Sequence, residues 1–172
     1  MSYARTSPDR FLRPEEIAVR YMRMPPPIDL EGLAAELGIR IRYEDLGRDA
    51  GKIERIEGSE GARYEITINS RDSDARQRFT MAHELAHYIK HRHLLENGAL
   101  ADNAMYRSHL PEPVEWEANR YAAQLLMPLS AMQQAWREGS RTPVAIARRL
   151  NVSEQAAQIR FDQLKGTLAL TR

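Results

Sequence analysis

The sequence predicts an α+β fold that is mainly helical, with a small antiparallel sheet of about three strands and a C-terminal helix-turn-helix-like pair. Three observations predict it. Apolar residues recur at helical spacing in segments on both sides of the block 39–69, within that block they alternate instead, and Thr142–Arg160 carries two short helical runs around an asparagine suited to a left-handed turn. At 172 residues without a cysteine, the chain is long enough to bury a core and has no disulfide to brace it. Residues 1–13 are polar and read as a flexible N-terminus, 14–139 as the main domain, and 140–172 as a helix-turn-helix-like subdomain packed on it.

Pro14-Glu15-Glu16 opens a first helix carrying Ile17, Ala18, Tyr21 and Met22, and Pro25-Pro26-Pro27 forbids its continuation. Asp29 caps a second helix whose Leu30, Leu33, Ala34 and Leu37 share a face, and Gly38 ends it. Ile39, Ile41 and Tyr43 then alternate with arginines as a half-buried strand. Two further strands, Lys52–Glu57 and Arg63–Asn69, flank the turn-rich Gly58-Ser59-Glu60-Gly61. Asp72-Ser73-Asp74 supplies capping residues for the next helix.

That helix contains His83-Glu84-Leu85-Ala86-His87. Imidazoles four residues apart on a helix stand on one face, roughly 6 Å apart along the axis, where both can grip one ion. The intervening Glu84 can address a water held there without being a ligand, which is the arrangement of metal-assisted hydrolysis. Met81, Ala82, Leu85, Ala86, Tyr88 and Ile89 are uncharged, so the stretch reads as buried. The alternative is a pair of histidines merely hydrogen-bonded within the core.

A catalytic zinc takes three protein ligands, and without cysteine only imidazole and carboxylate are available. His93 stands at the spacing of a third histidine in a different zinc motif, but Lys90 replaces the glycine that would break the helix. On a continuous helix His93 lies about 15 Å from His83, out of reach. His91 and His93 therefore read as surface histidines near a helix C-terminus, where positive charge is welcome. The segment Pro113–Pro128 reads as a second helix with Glu115, Ala118, Asn119 and Ala122 on one face. The alanines permit close approach, Glu115 becomes the third ligand, and Asn119 supports a ligand imidazole. Glu117 lies about 200° around the helix, so only one of the two glutamates faces the ion, and Glu115 is favoured. Two histidines and a carboxylate also describe non-haem iron oxygenases, but an oxygenase has no use for Glu84, which favours zinc.

Arg76-Gln77-Arg78-Phe79-Thr80 before His83-Glu84-Leu85-Ala86-His87, together with Glu115-Trp116-Glu117-Ala118-Asn119-Arg120-Tyr121 and the run to Met127-Pro128, resembles the ImmA/IrrE family of metallo-endopeptidases. The likeness covers roughly Pro14 to Leu164. The resemblance implies a zincin-like domain with a gluzincin-like Zn2+ site and a bacterial or phage origin. It also implies cleavage of a helix-turn-helix repressor or antitoxin, so that genes are derepressed. In that mechanism Glu84 is the general base. The segment Asn97–Pro113 lacks periodicity and lies between the two ligand helices, where loops often cover active sites, so its Tyr106, Arg107 and His109 are candidates for oxyanion or substrate contacts.

The rival function is a DNA-binding or protein-binding regulator with a structural or vestigial metal site. In the helix-turn-helix-like pair Ser153 caps the second helix, and Ala147, Leu150, Val152, Ala157 and Ile159 form a shared core. Its outward residues, Glu154, Gln155, Gln158, Arg160, Asp162 and Lys165, are mixed in charge, and direct DNA binding is not expected. Overall, 25 basic residues against 24 acidic ones, a net charge of +1, give no global attraction to nucleic acid or anionic lipid. Residues 1–13 hold too few apolar side chains for a signal peptide, and no apolar run approaches a membrane span, so the expected compartment is the cytoplasm and no membrane partner is implied.

Overall fold

A computed structural model describes residues 12–57, 61, 63–96 and 111–169. Helix α1 (Pro14–Tyr21) begins with proline at its first position, where the missing N–H costs nothing, and the Arg13 N–H donates to Glu16 Oε2 at 2.9 Å. Helix α2 (Leu30–Glu36) is capped by Asp29, whose carboxylate accepts from Gly32 N–H at 2.8 Å. Gly38 then takes φ +72°, the left-handed value that lets the chain turn out of α2 into strand β1 (Ile39–Glu44). Strands β2 (Gly51–Ile56) and β3 (Arg63–Asn69) complete the sheet.

The sheet is mixed rather than antiparallel as expected, with strand order β1-β3-β2. β2 and β3 pair antiparallel as the turn-rich link suggested, with Ile53 opposite Ile66, but β3 also pairs parallel with β1, Ile41 opposite Ile66. β3 is the central strand, and it is buried from Tyr64 to Asn69 on both faces. Its Tyr64, Ile66 and Ile68 enter the core, while on the other side Glu65 receives Arg40 and Arg42, and Asn69 donates to the carbonyls of Gly47 and Asp49. The half-buried β1 expected from alternation holds for Ile39 and Ile41, but Tyr43 is 47% exposed and donates its hydroxyl to Glu31 Oε1.

Helix α3 (Asp74–Lys90) contacts strands β2 and β3 as well as helix α5 (Glu112–Leu126), and between α3 and α5 comes the short α4 (Arg92–Glu96). Ser73 occupies the α3 N-cap position without a side-chain hydrogen bond, contrary to the capping role expected for it. Its neighbour Asp72 accepts from Arg76 instead. Ala82 and Ala86 on α3 and Ala118 and Ala122 on α5 are all fully buried, and small side chains on both helices allow their backbones to come close. At Gly51 the sheet also approaches α3 closely: a Cβ there would lie 2.4 Å from Thr80 Cγ2.

Helix α6 (Leu129–Arg137) leads to α7 (Pro143–Leu150) and α8 (Glu154–Ala169), joined through Asn151 at φ 52°. Thr142 Oγ1 accepts from Ala145 N–H and Ser153 Oγ from Ala156 N–H, so both helices are capped, the second by the residue the sequence suggested. The pair packs on the rest of the chain. Arg78 Nε on α3 donates to the Asn151 carbonyl, Arg160 Nε on α8 to the Met127 carbonyl, and the Trp136 and Phe161 rings meet at 6.0 Å. Ala147, Leu150, Val152 and Ala157 are core residues as expected, but Ile159 is 55% exposed. The α8 face turned inward carries Ala157, Phe161, Leu164 and Leu168, and Ile159 falls about 200° from Ala157, on the other side. Ile146 fills the core instead.

Candidate metal centre

The register of α3 places His83 and His87 one turn apart on the same face, and α5 brings Glu115 to them. The two Nε2 atoms lie 3.0 Å apart. One Glu115 oxygen is 3.3 Å from His83 Nε2 and the other 3.4 Å from His87 Nε2. A tetrahedral ion with bonds of about 2.0–2.1 Å separates its ligand atoms by about 3.3–3.4 Å. These contacts lie near that spacing, one donor atom from each of the three side chains falls within 4.8 Å of the others, and two imidazole nitrogens with one carboxylate oxygen form a set zinc accepts. Among the described residues this is the one group of histidine and acidic side chains placed to hold a metal.

The charges of the site reinforce one another. Hydrogen bonds from His83 and His87 hold the Glu115 carboxyl far below the usual carboxylate range despite its burial. Burial works against protonation of His83, but the Glu115 hydrogen bond and the charges of Glu84 and Glu115 outweigh it and raise its pKa. The site's negative charge thus favours a positive charge at His83. A metal ion would supply that positive charge instead. Glu84, directly after His83, is 5% exposed.

Each histidine is also held at its other ring nitrogen. His83 Nδ1 lies 3.1 Å from Asn119 Oδ1, one turn after Glu115 on α5. His87, 2% exposed, places Nδ1 3.2 Å from Nδ1 of His91. His91 Nε2 in turn lies 3.2 Å from Glu117 Oε2. Burial lowers the His91 pKa, and the Glu117 contact offsets this only in part. The hydrogen bond from His91 lowers that of Glu117.

The structure thus brings together His83, His87 and Glu115 and sets Asn119 against His83. Glu117 is outside the cluster and faces His91 and Lys90. His93 is exposed, as expected once it was rejected as a ligand. His91 is the residue sequence reasoning missed: expected on the surface, it is 4% exposed. The helix ends at Lys90 and His91 turns inward as its C-cap residue. The available signal was spacing, since His83, His87 and His91 recur every four residues and so share one stripe. The candidate contacts Tyr106, Arg107 and His109 lie outside the described residues.

A family model described as the IrrE N-terminal-like domain, peptidase M78, matches residues 34–162, a span that includes both histidines, Glu84 and Glu115. The chain is 29% identical over 162 residues to the radiation response metalloprotease IrrE of Deinococcus radiodurans, an alignment covering 88% of this chain and 47% of that protein. It therefore spans about half the length of the curated relative it matches. A solved transcriptional regulator of Mycobacterium tuberculosis has a similar fold, with a TM-score of 0.51 at 16% identity over 86% of this chain and 46% of that one.

Proposed function

The chain belongs to the peptidase M78 family of IrrE N-terminal-like domains, and from that premise we propose that it is a zinc-dependent endopeptidase acting on a regulatory protein. The observation that carries this reading is the convergence of His83, His87 and Glu115, the two Nε2 atoms 3.0 Å apart, one Glu115 oxygen 3.3 Å from the first and the other 3.4 Å from the second, beside the buried Glu84. His83 Nε2, His87 Nε2 and one Glu115 oxygen would hold the ion, leaving a coordination position for water. Zinc bound there supplies Lewis acidity, which makes water acidic enough to lose a proton near neutral pH and polarises a carbonyl. Glu84 is the base. Its carboxylate takes the proton of the attacking water and returns it to the leaving amine as the peptide bond breaks, a shuttle that contributes on the order of a hundredfold or more. Asn119 fixes the His83 ring by accepting from its Nδ1–H.

Strand β2 pairs on one side with β3 and packs against α3. Among the described residues its other edge is unpaired, and it would offer backbone groups to an extended substrate chain, which gives affinity independent of sequence. The substrate we propose is a helix-turn-helix repressor or antitoxin whose cleavage derepresses genes, a regulatory step of the kind found in stress responses and toxin–antitoxin control. The working compartment is the cytoplasm. No described helix is long and apolar enough to cross a membrane. Direct DNA binding has little support in the geometry, because Arg160 is tied to the Met127 carbonyl and Gln158 to Asp162.

The deciding experiment incubates the zinc-loaded chain with a co-encoded helix-turn-helix regulator, with and without chelator, beside Glu84→Gln. A cut that appears only without chelator, and only with Glu84 intact, supports the proposal. Absence of any cut, combined with a salt-dependent shift of duplex DNA, would transfer support to a DNA-binding regulator with a structural metal.

A further inference from the structure

His91 is almost completely buried, and a buried polar ring needs partners for both nitrogens. It has them on opposite edges: His87 Nδ1 lies 3.2 Å from Nδ1, and Glu117 Oε2 lies 3.2 Å from Nε2. Two ring nitrogens in contact hydrogen-bond only when one carries the proton and the other the lone pair. His87 turns Nε2 toward His83 and Glu115, so coordination through that atom leaves its proton on Nδ1. His91 must then accept at Nδ1 and carry its own proton on Nε2, where the Glu117 carboxylate stands to receive it. Each tautomer fixes the next, and the chain ends on an anion.

We propose that His91 and Glu117 are positioning residues of the metal centre, a relay that locks His87 in the tautomer and ring orientation in which Nε2 addresses the ion. The proposal rests on the zinc reading of the cluster given above. It gives the two ligand histidines unlike supports, a neutral amide behind His83 and a carboxylate-backed imidazole behind His87. A carboxylate at the end of such a chain increases the basicity of the ligand imidazole, which strengthens its hold on a cation. Helix α5 then serves both sides of the α3 histidines, with Glu115 at their inner nitrogens and Glu117 reaching His87 through His91. Lys90 Nζ, 3.7 Å from Glu117 Oε1, steadies the carboxylate from its other side.

The test measures zinc dissociation constants by competition with a chromophoric chelator, alongside thermal unfolding of the metal-free protein. His91→Phe is expected to weaken zinc binding about 10–100-fold and Glu117→Gln about tenfold. The double variant should bind no more weakly than His91→Phe, because Glu117 acts only through His91. His91→Gln should recover part of the loss, since its amide oxygen can accept from His87 Nδ1–H. Unchanged zinc affinity in both single variants, with only the metal-free unfolding temperature altered, would reduce the pair to packing and overturn the proposal. If His91→Phe fails to fold, the half-exposed Glu117 decides through Glu117→Gln alone. A wild-type chain that binds zinc no better than His83→Ala would bring down the metal-centre reading itself. Tight wild-type binding that neither variant disturbs would overturn only the relay.

Discussion

His83 Nε2 and His87 Nε2 face each other across 3.0 Å, and the carboxylate of Glu115 bridges the two rings from a different helix. The two imidazoles hold that carboxylate in its charged form, and the same negative charge, with two ring nitrogens beside it, would attract a divalent cation.

Zinc should therefore stabilise the folded chain measurably. A ligand at about a hundred times its dissociation constant adds about 2.7 kcal/mol of stability. For a domain of this size that corresponds to a rise of about 5–10 °C in unfolding temperature. In differential scanning fluorimetry the wild type should show this rise on adding zinc and lose it with chelator. His87→Ala should show little response to either. Equal responses from the wild type and His87→Ala would place the zinc elsewhere.

Asn119→Ala should weaken zinc binding by about tenfold or more, since it removes the acceptor 3.1 Å from His83 Nδ1 and frees the ring to turn. Asn119→Asp keeps an acceptor oxygen and should retain most of the affinity. Chelator competition on the three proteins separates an orienting hydrogen bond from a bystander, for which all three constants would coincide.

Most of this centre was legible in the sequence because helical periodicity converts residue spacing into shared faces. His83 with His87, and Glu115 with Ala118, Asn119 and Ala122, needed only that conversion. The same rotation allowed only one of Glu115 and Glu117 to face the ion, and Glu115 was the one favoured. His91 was misjudged because its burial depends on where α3 stops, and a helix terminus is set by tertiary packing that spacing does not report. The sheet was misjudged for a related reason. Alternation marks strands but not their partners, and the parallel pairing of β1 with β3 reaches across β2. Ile159 shows the limit within a single helix, since only the docking of Arg160 and Phe161 on the body fixed which side of α8 faces inward.

Gly51→Ala should destabilise the fold by about 1–3 kcal/mol, the usual range for overpacking a tight site. The added methyl would sit 2.4 Å from Thr80 Cγ2 and 2.9 Å from the Thr67 carbonyl oxygen, pressing β2 away from α3 just before His83. Thr80→Ser in the same chain removes the nearer clash and should restore part of the loss, while the backbone contact remains. Urea unfolding of the two single variants and the double variant measures the coupling. Strictly additive effects would mean that strand and helix relax independently.

Arg78 joins three parts of the chain, donating from α3 to the Ile28 carbonyl before α2 and to the Asn151 carbonyl between α7 and α8. Hydrogen bonds from a charged group contribute about 1.5–3 kcal/mol each, so Arg78→Ala should lower stability by at least about 2 kcal/mol. Arg78→Lys cannot reproduce the two-pronged geometry and should recover only part of the loss. A denaturation midpoint for Arg78→Ala matching the wild type would show that these carbonyls find water instead.

Glu84→Gln separates catalysis from metal binding. The amide has nearly the same shape as the carboxylate it replaces, so packing at this buried position is preserved, and His83, His87 and Glu115 remain to hold the ion. An amide cannot take a proton from water, which removes the base and the proton donor to the leaving amine together. Cleavage should fall by about a hundredfold or more, while the zinc content measured by elemental analysis stays at the wild-type ratio. Glu84→Asp keeps the base but shortens its reach, and should fall between the two because proton transfer requires hydrogen-bond distance. Loss of zinc along with activity in Glu84→Gln would instead make Glu84 part of the ligand set, and wild-type cleavage by that variant would assign the proton transfer to another group.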